Sequence, residues 1–193
     1  MTESDTSLRD RLVDAGVELL AAEGLQALTL REIARRAGVS HGAPRRHFPT
    51  HLDLLSAIAR RGFADLAGRA RGALDRETGG ARAQVAALAR AYLEFALERP
   101  GMYDLMFRHD LLESGRLGLR ESSLPLFSLL TGLIATHGPG TDAPRVAGAL
   151  WANLHGMAQL WRWRSLQLAT GKEDFEALLE TVLAAHLGPG DGR

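Results

Sequence analysis

The sequence, 193 residues long, contains no cysteine and only one lysine. Without cysteine there can be no disulfide bond, thiolate metal ligand or cysteine nucleophile. The lysine stands against 22 arginines, a bias that we attribute to codon usage rather than to function. No apolar run approaches the roughly 20 residues of a membrane-spanning helix, and the polar, acidic N-terminus is unlike a signal peptide. These absences predict a cytoplasmic protein with no membrane contact.

The motifs of common enzymes are missing as well. There is no glycine-rich phosphate loop, no Gly-x-Ser-x-Gly and no obvious pair of carboxylates beside a histidine. The seven histidines are scattered, and Pro49 breaks the helix that would align His47 with His51. We therefore expect no catalytic activity, no metal site and no cofactor.

The composition is that of an ordinary globular protein, with 46% hydrophobic and 24% charged residues. The formal net charge is zero, so any attraction to nucleic acid must come from a local cluster of basic residues. Apolar residues recur at helical spacing almost throughout, and no alternating strand pattern is present. The sequence predicts an all-α protein of about nine helices, the last five of which cover residues 81–98, about 103–112, 119–137, 144–170 and 173–187.

The most informative stretch is TLREIARRAGVSHGAPRRHFPTHLDLL at residues 29–55. Thr29 and Glu32 have the spacing of a capping box that starts a helix, and Gly38 is suited to close it. Ser40 is a second N-cap, which predicts a helix over residues 41–48. Thr50 caps the helix that follows, so the pattern is helix, turn, helix and supporting helix. That arrangement is typical of DNA-binding proteins, whose second helix enters the major groove.

The charges on this stretch fit the same interpretation. Residues 31–46 contain one acid, Glu32, and five arginines: Arg31, Arg35, Arg36, Arg45 and Arg46. The second helix offers His41, Arg45 and Arg46 as donors to phosphates or guanine edges. Arginines on an amphipathic helix are most often a solvated face, but within a capped helix-turn-helix they indicate DNA binding.

These residues resemble a known family. T-L-R-E-I-A-R-R-A-G-V-S, then Arg46-His47-Phe48 and the capped D-L-L resemble the N-terminal domain of the TetR family of bacterial transcriptional regulators, over roughly residues 8–55. The resemblance implies a three-helix helix-turn-helix DNA-binding domain at residues 1–50 and a helical bundle for ligand binding and dimerisation at residues 51–193. The DNA-binding residues would be Thr29, Arg31, Ser40, His41, Gly42, Arg45, Arg46, His47 and His51.

Two of these positions depart from the family pattern. Members usually have a tyrosine in place of Arg45 and a lysine in place of His51, and both usually contact phosphate. Arg45 can supply that contact as a permanently charged donor, or it can read a base. His51 carries a full charge only when it is protonated, so its phosphate contact depends on pH.

The C-terminal half offers a short motif and a set of aromatic residues. Trp151, His155 and Gly156 lie in W-A-N-L-H-G, which resembles the signature of the TetR subgroup named for its Trp-His-Gly C-terminal domain. Aromatic residues at helical spacing are usually core, but a subset would line any cavity for a small, largely apolar ligand. The candidate ligand-binding residues are Tyr92, Phe95, Tyr103, Met106, Phe107, Phe127, Trp151 and His155.

The last two helices carry apolar stripes that would suit a four-helix bundle with a second subunit, as the family forms. The alternative is that the stripes bury against their own domain. The function predicted from the sequence is a homodimeric regulator, a repressor, that binds a palindromic operator in double-stranded DNA and is released by a small ligand. Two other functions stay open: a DNA-binding protein without a ligand, and a helical protein-interaction module.

Overall fold

The computed structural model describes residues 3–108, 110–111 and 118–190. In these ranges ten α-helices and one 3-10 helix have defined bounds, residues 110–111 are also helical, and there is no β-strand. The predicted all-α fold is confirmed, although the chain has more helices than the nine that the sequence indicated. No helix in the same ranges is long and apolar enough to cross a membrane.

The helices follow one another with short connections. The first five elements are α1 (Glu3–Glu23), a 3-10 turn (Leu25–Ala27), α2 (Leu30–Arg36), α3 (Pro44–His47) and α4 (His51–Arg76). The remaining helices are α5 (Ala81–Glu98), α6 (Pro100–Met106), α7 (Leu119–His137), α8 (Ala143–Arg162), α9 (Ser165–Thr170) and α10 (Phe175–Leu187).

The predicted bounds of α5 and α7 are confirmed, but the single helix predicted over residues 144–170 is wrong. The chain leaves the helical path at Arg164, whose φ is +62°. A right-handed helix cannot continue through a residue in the left-handed region. The break separates α8 from the short α9.

The helix predicted over about residues 103–112 begins earlier. Pro100 stands at its first position, where a missing N–H costs nothing because that group has no partner within the helix. Pro100, which follows the end of α5 at Glu98, is therefore the first residue of α6. The predicted end near residue 112 is wrong: the helix ends at Met106 with Phe107 as its C-cap, and residues 107–108 are not helical.

The chain divides into two compact units. The first comprises Met1–Asp65 and Arg99–Ser123, and the second comprises Leu66–Glu98 and Leu124–Arg193. Helix α4 contributes its first half to one unit and its second half to the other. The division into domains at residues 50 and 51 stays a prediction.

The first unit has a core built by α1, α2 and the start of α4. Leu12, Leu19 and Ile33 are fully buried, and so is Ile58. A Cβ on Gly16 would lie 2.3 Å from Cδ1 of Ile58, so α1 and α4 approach closely at a position that only glycine fills without a shift. Helix α1 therefore shares one core with α2 and the start of α4.

The second unit is built on α5, α8 and α10. Leu93, Leu150 and Leu183 are fully buried. Across the outside of this core, Arg82 pairs with Glu180, and Nε of Arg90 lies 3.0 Å from the Glu176 carboxylate. Apolar stripes thus bring these helices together, and ion pairs link α5 to α10 along their edges.

Candidate nucleic-acid interface

Helix α2 begins and ends with specific backbone contacts. Its N-cap, Thr29, accepts a hydrogen bond at Oγ1 from the backbone N–H of Glu32, 3.2 Å away. The reciprocal half of the predicted capping box is absent, because the Glu32 carboxylate accepts from Nε of Arg35 instead. That guanidinium holds the pKa of Glu32 below its ordinary value of 4.5. The N-cap is confirmed and the box is wrong.

The turn after α2 is closed by a glycine, as the sequence predicted. Gly38 has a φ of +69°. Its N–H donates to the carbonyl of Arg35, and the N–H of Val39 donates to the carbonyl of Ala34. This pair of bonds is a Schellman motif, which satisfies the last carbonyls of a helix and turns the chain away.

The second helix of the motif is shorter than predicted. Instead of residues 41–48, α3 covers Pro44–His47, and its N-cap is Ala43 rather than Ser40. Because Pro44 has no N–H, the carbonyl of Ser40 cannot accept from it and accepts from Ala43 instead, at 3.0 Å, in a tight turn. Proline therefore stands at the first position of α3 and not within a longer helix.

Two arginines of α1 hold the motif in place. Nη2 of Arg11 donates to the carbonyl of Ala37 at the end of α2, at 2.7 Å. The guanidinium of Arg9 lies 5.0 Å from the ring centroid of Phe48, the residue that ends α3 and is only 1% exposed. Sequence patterns do not reveal these contacts, because an arginine near a helix start is most often solvated. Here Arg9 and Arg11 brace the DNA-binding elements.

The start of α4 contains the capping box that α2 lacks. Oγ1 of Thr50 accepts from the N–H of Asp53 at 3.1 Å, and the buried Asp53 carboxylate accepts from both the N–H and the hydroxyl of Thr50. Next to the cap, Nε2 of His51 lies 2.5 Å from the carbonyl oxygen of Leu28. The connection between α3 and α4 is thereby tied to the segment that precedes α2.

The predicted DNA-binding residues all lie on this framework. His47 is half-buried. The exposed members are Thr29, Arg31, Ser40, His41, Gly42, Arg45, Arg46 and His51.

The arginines of the motif fall into two groups. Arg35 pairs with Glu32, and Arg36 pairs with Glu23 at 3.1 Å. Within the described ranges no acid pairs with the other three, which are Arg31, Arg45 and Arg46. The positive charge that is available to a phosphate backbone is therefore concentrated at the start of α2 and on α3.

The candidate ligand-binding residues divide between the two units. In the second unit, Nε1 of Trp151 donates to the Tyr92 hydroxyl at 3.2 Å, and that hydroxyl lies 3.0 Å from Nδ1 of His155. The Phe127 ring packs edge-on against Trp151, with 6.2 Å between centroids. Phe95 is fully buried in the same unit, beneath the guanidinium of Arg69.

The other three candidates belong to the first unit. Tyr103 and Met106 are fully buried, and Phe107 packs edge-on against both Tyr103 and Phe63. The eight residues are thus divided between the two units, and Tyr92, Phe127, Trp151 and His155 form a hydrogen-bonded and aromatic group. In the described part of the chain no three acidic or histidine side chains converge as they would to hold a metal ion.

Two family models match the chain. Residues 12–58 match the one described as bacterial regulatory proteins, tetR family, and residues 85–186 match the Tetracyclin repressor-like, C-terminal domain. The second match alone covers more than half of the chain. The Trp-His-Gly subgroup stays a prediction.

Two relatives are named as regulators. The HTH-type transcriptional regulator SrpR of Pseudomonas putida is 44% identical over 50 residues, which are 26% of this chain and 24% of SrpR. The match therefore spans about a quarter of that regulator. The HTH-type transcriptional regulator BetI of Rhizobium meliloti (strain 1021) is 31% identical over 192 residues, covering 96% of this chain and 92% of BetI.

Solved structures have the same fold. A protein with unknown function from Rhodococcus sp. RHA1 has a TM-score of 0.78 and 33% identity, over 93% of this chain and 95% of that one. The multidrug binding protein EbrR, complexed with imidazole, has a TM-score of 0.58 and 27% identity, over 95% and 97% of the two chains. The chain therefore belongs to the TetR family of bacterial regulatory proteins, and it is a transcriptional regulator with a DNA-binding helix-turn-helix.

Proposed function

We propose that the protein is a repressor that binds a palindromic operator as a homodimer and leaves it when a small ligand binds. The observation that carries the proposal is the set of three exposed arginines without an acidic partner, Arg31, Arg45 and Arg46, in the helix-turn-helix of the described chain. Their charge is free to displace counterions from DNA phosphates. The two-fold symmetry of a dimer would match two half-sites in successive major grooves.

Each residue of the interface has a proposed role. Phosphate contacts come from Arg31, Arg46 and His51, together with Thr29, Ser40 and His47. Base contacts come from the start of the recognition element, where His41, Gly42 and Arg45 are exposed. Gly42 has no side chain to hold the backbone away from a base, and nothing lies within 4 Å of its Cβ position. Arg45 is suited to a bidentate contact with guanine.

Dimerisation is supported by the surface of the second unit. Within the described ranges all five large hydrophobic residues that are exposed belong to this unit. The outer side of α8 adds the small residues Ala149 and Ala152, which let another helix approach closely. We propose that α8 and α10 pack against the same helices of a second copy. The five exposed hydrophobic residues are Leu124, Trp151, Leu160, Trp163 and Leu168.

Ligand binding is supported by the aromatic group of the second unit. Tyr92, Trp151 and His155 form a chain of hydrogen bonds beside the Phe127 ring. Such a group combines apolar contact area with a few fixed polar atoms, as sites for small, largely apolar molecules do. EbrR, whose structure is similar, is described as a multidrug binding protein. A ligand releases DNA only if it binds the released conformation more tightly than the bound one.

The proposed division of labour follows the chain. Residues 1–50 form the DNA-binding domain, and residues 51–193 form the ligand-binding and dimerisation domain. Helix α4 belongs to both compact units, as does α7, so each is a continuous helix through which a change in one unit can reach the other. The protein would act in the cytoplasm of a bacterium.

The experiment that tests the proposal is a DNA titration by fluorescence anisotropy at physiological salt. The full-length protein is titrated with a duplex from its own upstream region and with a scrambled duplex. Specific binding should exceed the scrambled control by about a thousandfold or more. Arg45→Ala/Arg46→Ala should weaken it at least about 100-fold, because four contacts per dimer are lost. The matched control is Arg60→Ala/Arg61→Ala, which removes two exposed arginines from α4.

Three results would contradict parts of the proposal. Unchanged affinity in the α3 variant would reject α3 as the DNA-binding element. Equal binding to both duplexes that fades quickly with salt would favour a basic protein-interaction module. Specific binding that no apolar compound relieves in a ligand screen would favour a regulator without a ligand.

A further inference from the structure

The imidazole ring of His51, at the start of α4, is held in place by a hydrogen bond to the backbone. His51 is the first residue of α4, four positions after the end of α3, and it is exposed. Its Nε2 lies 2.5 Å from the backbone carbonyl oxygen of Leu28, just ahead of α2. A carbonyl oxygen only accepts hydrogen bonds, so Nε2 carries a hydrogen and donates. The contact sets both the tautomer and the orientation of the imidazole.

This tautomer decides what the second ring nitrogen can do. In the neutral ring Nδ1 has a lone pair and no hydrogen, so it cannot donate to an anionic phosphate oxygen. In the imidazolium both nitrogens donate. His51 can keep its bond to Leu28 and also bind a phosphate only after it takes up a proton.

The charges around His51 favour an anion. The Asp53 carboxylate on its own helix is buried and engaged with Thr50, while Arg45 and Arg46 on α3 are exposed and lack acidic partners in the described chain. A phosphate drawn to these arginines would stabilise the imidazolium. The titratable and charged groups of the neighbouring elements are Asp53 in the first turn of α4, Arg31, Glu32, Arg35 and Arg36 on α2, and Arg45, Arg46 and His47 on α3.

We propose that His51 is a proton-dependent phosphate clamp, so that each protomer takes up a proton when it binds DNA. The inference rests on the proposed function, since it requires that the α3 side of the motif is the DNA surface. Protonation favours the complex, so affinity is highest at low pH. Affinity then falls as the pH rises, because the neutral imidazole cannot hold both Leu28 and a phosphate.

The test does not require knowledge of the operator. Phosphate contacts carry no sequence information, so the probe is a fluorescent duplex of mixed sequence with the full-length protein. Affinity is measured over several salt concentrations at about pH 6 and about pH 8. The wild-type protein should bind about 3- to 10-fold more tightly at the lower pH, with a steeper dependence on salt, because one more phosphate contact per protomer is made.

Three variants assign the effect to one side chain. His51→Gln cannot be protonated and should bind weakly at both pH values. His51→Lys is charged at both and should bind tightly at both, which excludes a loss of folding as the cause in the first variant. His137→Gln is the matched control: it is also exposed, and its Nε2 contacts the backbone carbonyl of Leu187 at 2.8 Å, but it lies in the second unit. It should keep the wild-type pH dependence.

The inference is overturned if His51→Gln keeps the full pH difference, or if the difference disappears in His41→Gln instead. Binding that is independent of pH in the wild-type protein would overturn it too, while leaving the DNA-binding function intact. A wild-type protein that fails to bind any duplex at either pH would overturn the proposed function as well. The two failures are thus distinguishable.

Discussion

The two compact units are stabilised in different ways. In the first, α2 and α3 are seven and four residues long, and side chains that bond to backbone groups hold their ends, as Thr29 and Arg11 do for α2. In the second, α5 and α8 are 18 and 20 residues long and meet through apolar stripes. Short helices bury little area and need end contacts, whereas long helices are stabilised chiefly by packing. The two helices of the helix-turn-helix are thus the elements that depend most on individual polar contacts.

Both units nevertheless contain a cation–π contact between an arginine and a buried phenylalanine. In each, a fully buried phenylalanine lies beneath an arginine guanidinium, which is 5.0 Å from the ring centroid for Arg9 and Phe48 and 5.5 Å for Arg69 and Phe95. Burial of the ring supplies most of the stabilisation, and the cation adds about 0.5–1 kcal/mol. This pair of sites allows the two units to be perturbed by the same chemical change.

Replacing either phenylalanine should have the largest effect. Phe48→Ala and Phe95→Ala should each lower the free energy of unfolding by about 3–5 kcal/mol, because each leaves a cavity in a close-packed core. All three tryptophans, Trp151, Trp161 and Trp163, belong to the second unit. In urea titrations Phe95→Ala should therefore move the midpoint of the tryptophan fluorescence curve to a lower urea concentration. Phe48→Ala should instead make the circular dichroism signal begin to fall at a lower urea concentration than the fluorescence signal.

The control is Leu168→Ala, which removes a side chain that is 84% exposed and should leave both curves in place. If Phe48→Ala moves the two curves together, the units unfold as one cooperative structure, and their separate description would not extend to stability.

Removing helix caps should have an intermediate effect that differs between the units. Thr50→Ala deletes the hydroxyl that caps α4 and donates to the buried Asp53 carboxylate, while the donation from the Thr50 backbone N–H remains, so it should cost about 1–2 kcal/mol. Asp174→Ala deletes the exposed N-cap of α10, whose carboxylate accepts from the N–H of Ala177 at 2.9 Å, and should cost about 0.5–1 kcal/mol. Urea midpoints measure both. Thr50→Ser keeps the hydroxyl and should retain most of the stability; equal losses in Thr50→Ser and Thr50→Ala would show that the methyl group matters rather than the cap.

The smallest expected effect is a change in how stability depends on pH when the Glu32–Arg35 pair is removed. The Arg35 guanidinium lowers the pKa of Glu32 below 4.5 in the folded chain, so the pair stabilises the fold above the unfolded pKa, and this contribution is lost as the pH falls through the folded value. Because Arg35 is exposed and Glu32 is only half-buried, the effect is small. Glu32→Gln should slightly flatten the decline of the urea midpoint below about pH 4.5. Glu94→Gln, which removes an exposed acid from α5, is the control; an identical decline in wild type and Glu32→Gln would show that the pair does not contribute.

The sequence predicted those parts of the site that depend on near neighbours. Thr29 caps α2, Gly38 closes it and Thr50 caps α4, because each of these contacts joins residues only a few positions apart. The Ser40 cap was wrong for a reason that is also local: Pro44 cannot donate to the Ser40 carbonyl, so the helix starts at Pro44. The break at Arg164 has no comparable signal in its neighbours.

By itself, then, the sequence determined the all-α class, the helix-turn-helix and the positions of most helix ends, since helical periodicity and capping act over one or two turns. Only the tertiary structure decided how distant side chains are used. It separated Arg35 and Arg36, which have acidic partners, from Arg45 and Arg46, and it placed Arg9 over the Phe48 ring and Arg11 at the Ala37 carbonyl. It also brought His51 to the Leu28 carbonyl, 23 residues away along the chain. Such contacts depend on how helices pack against one another, which no local pattern of residues encodes.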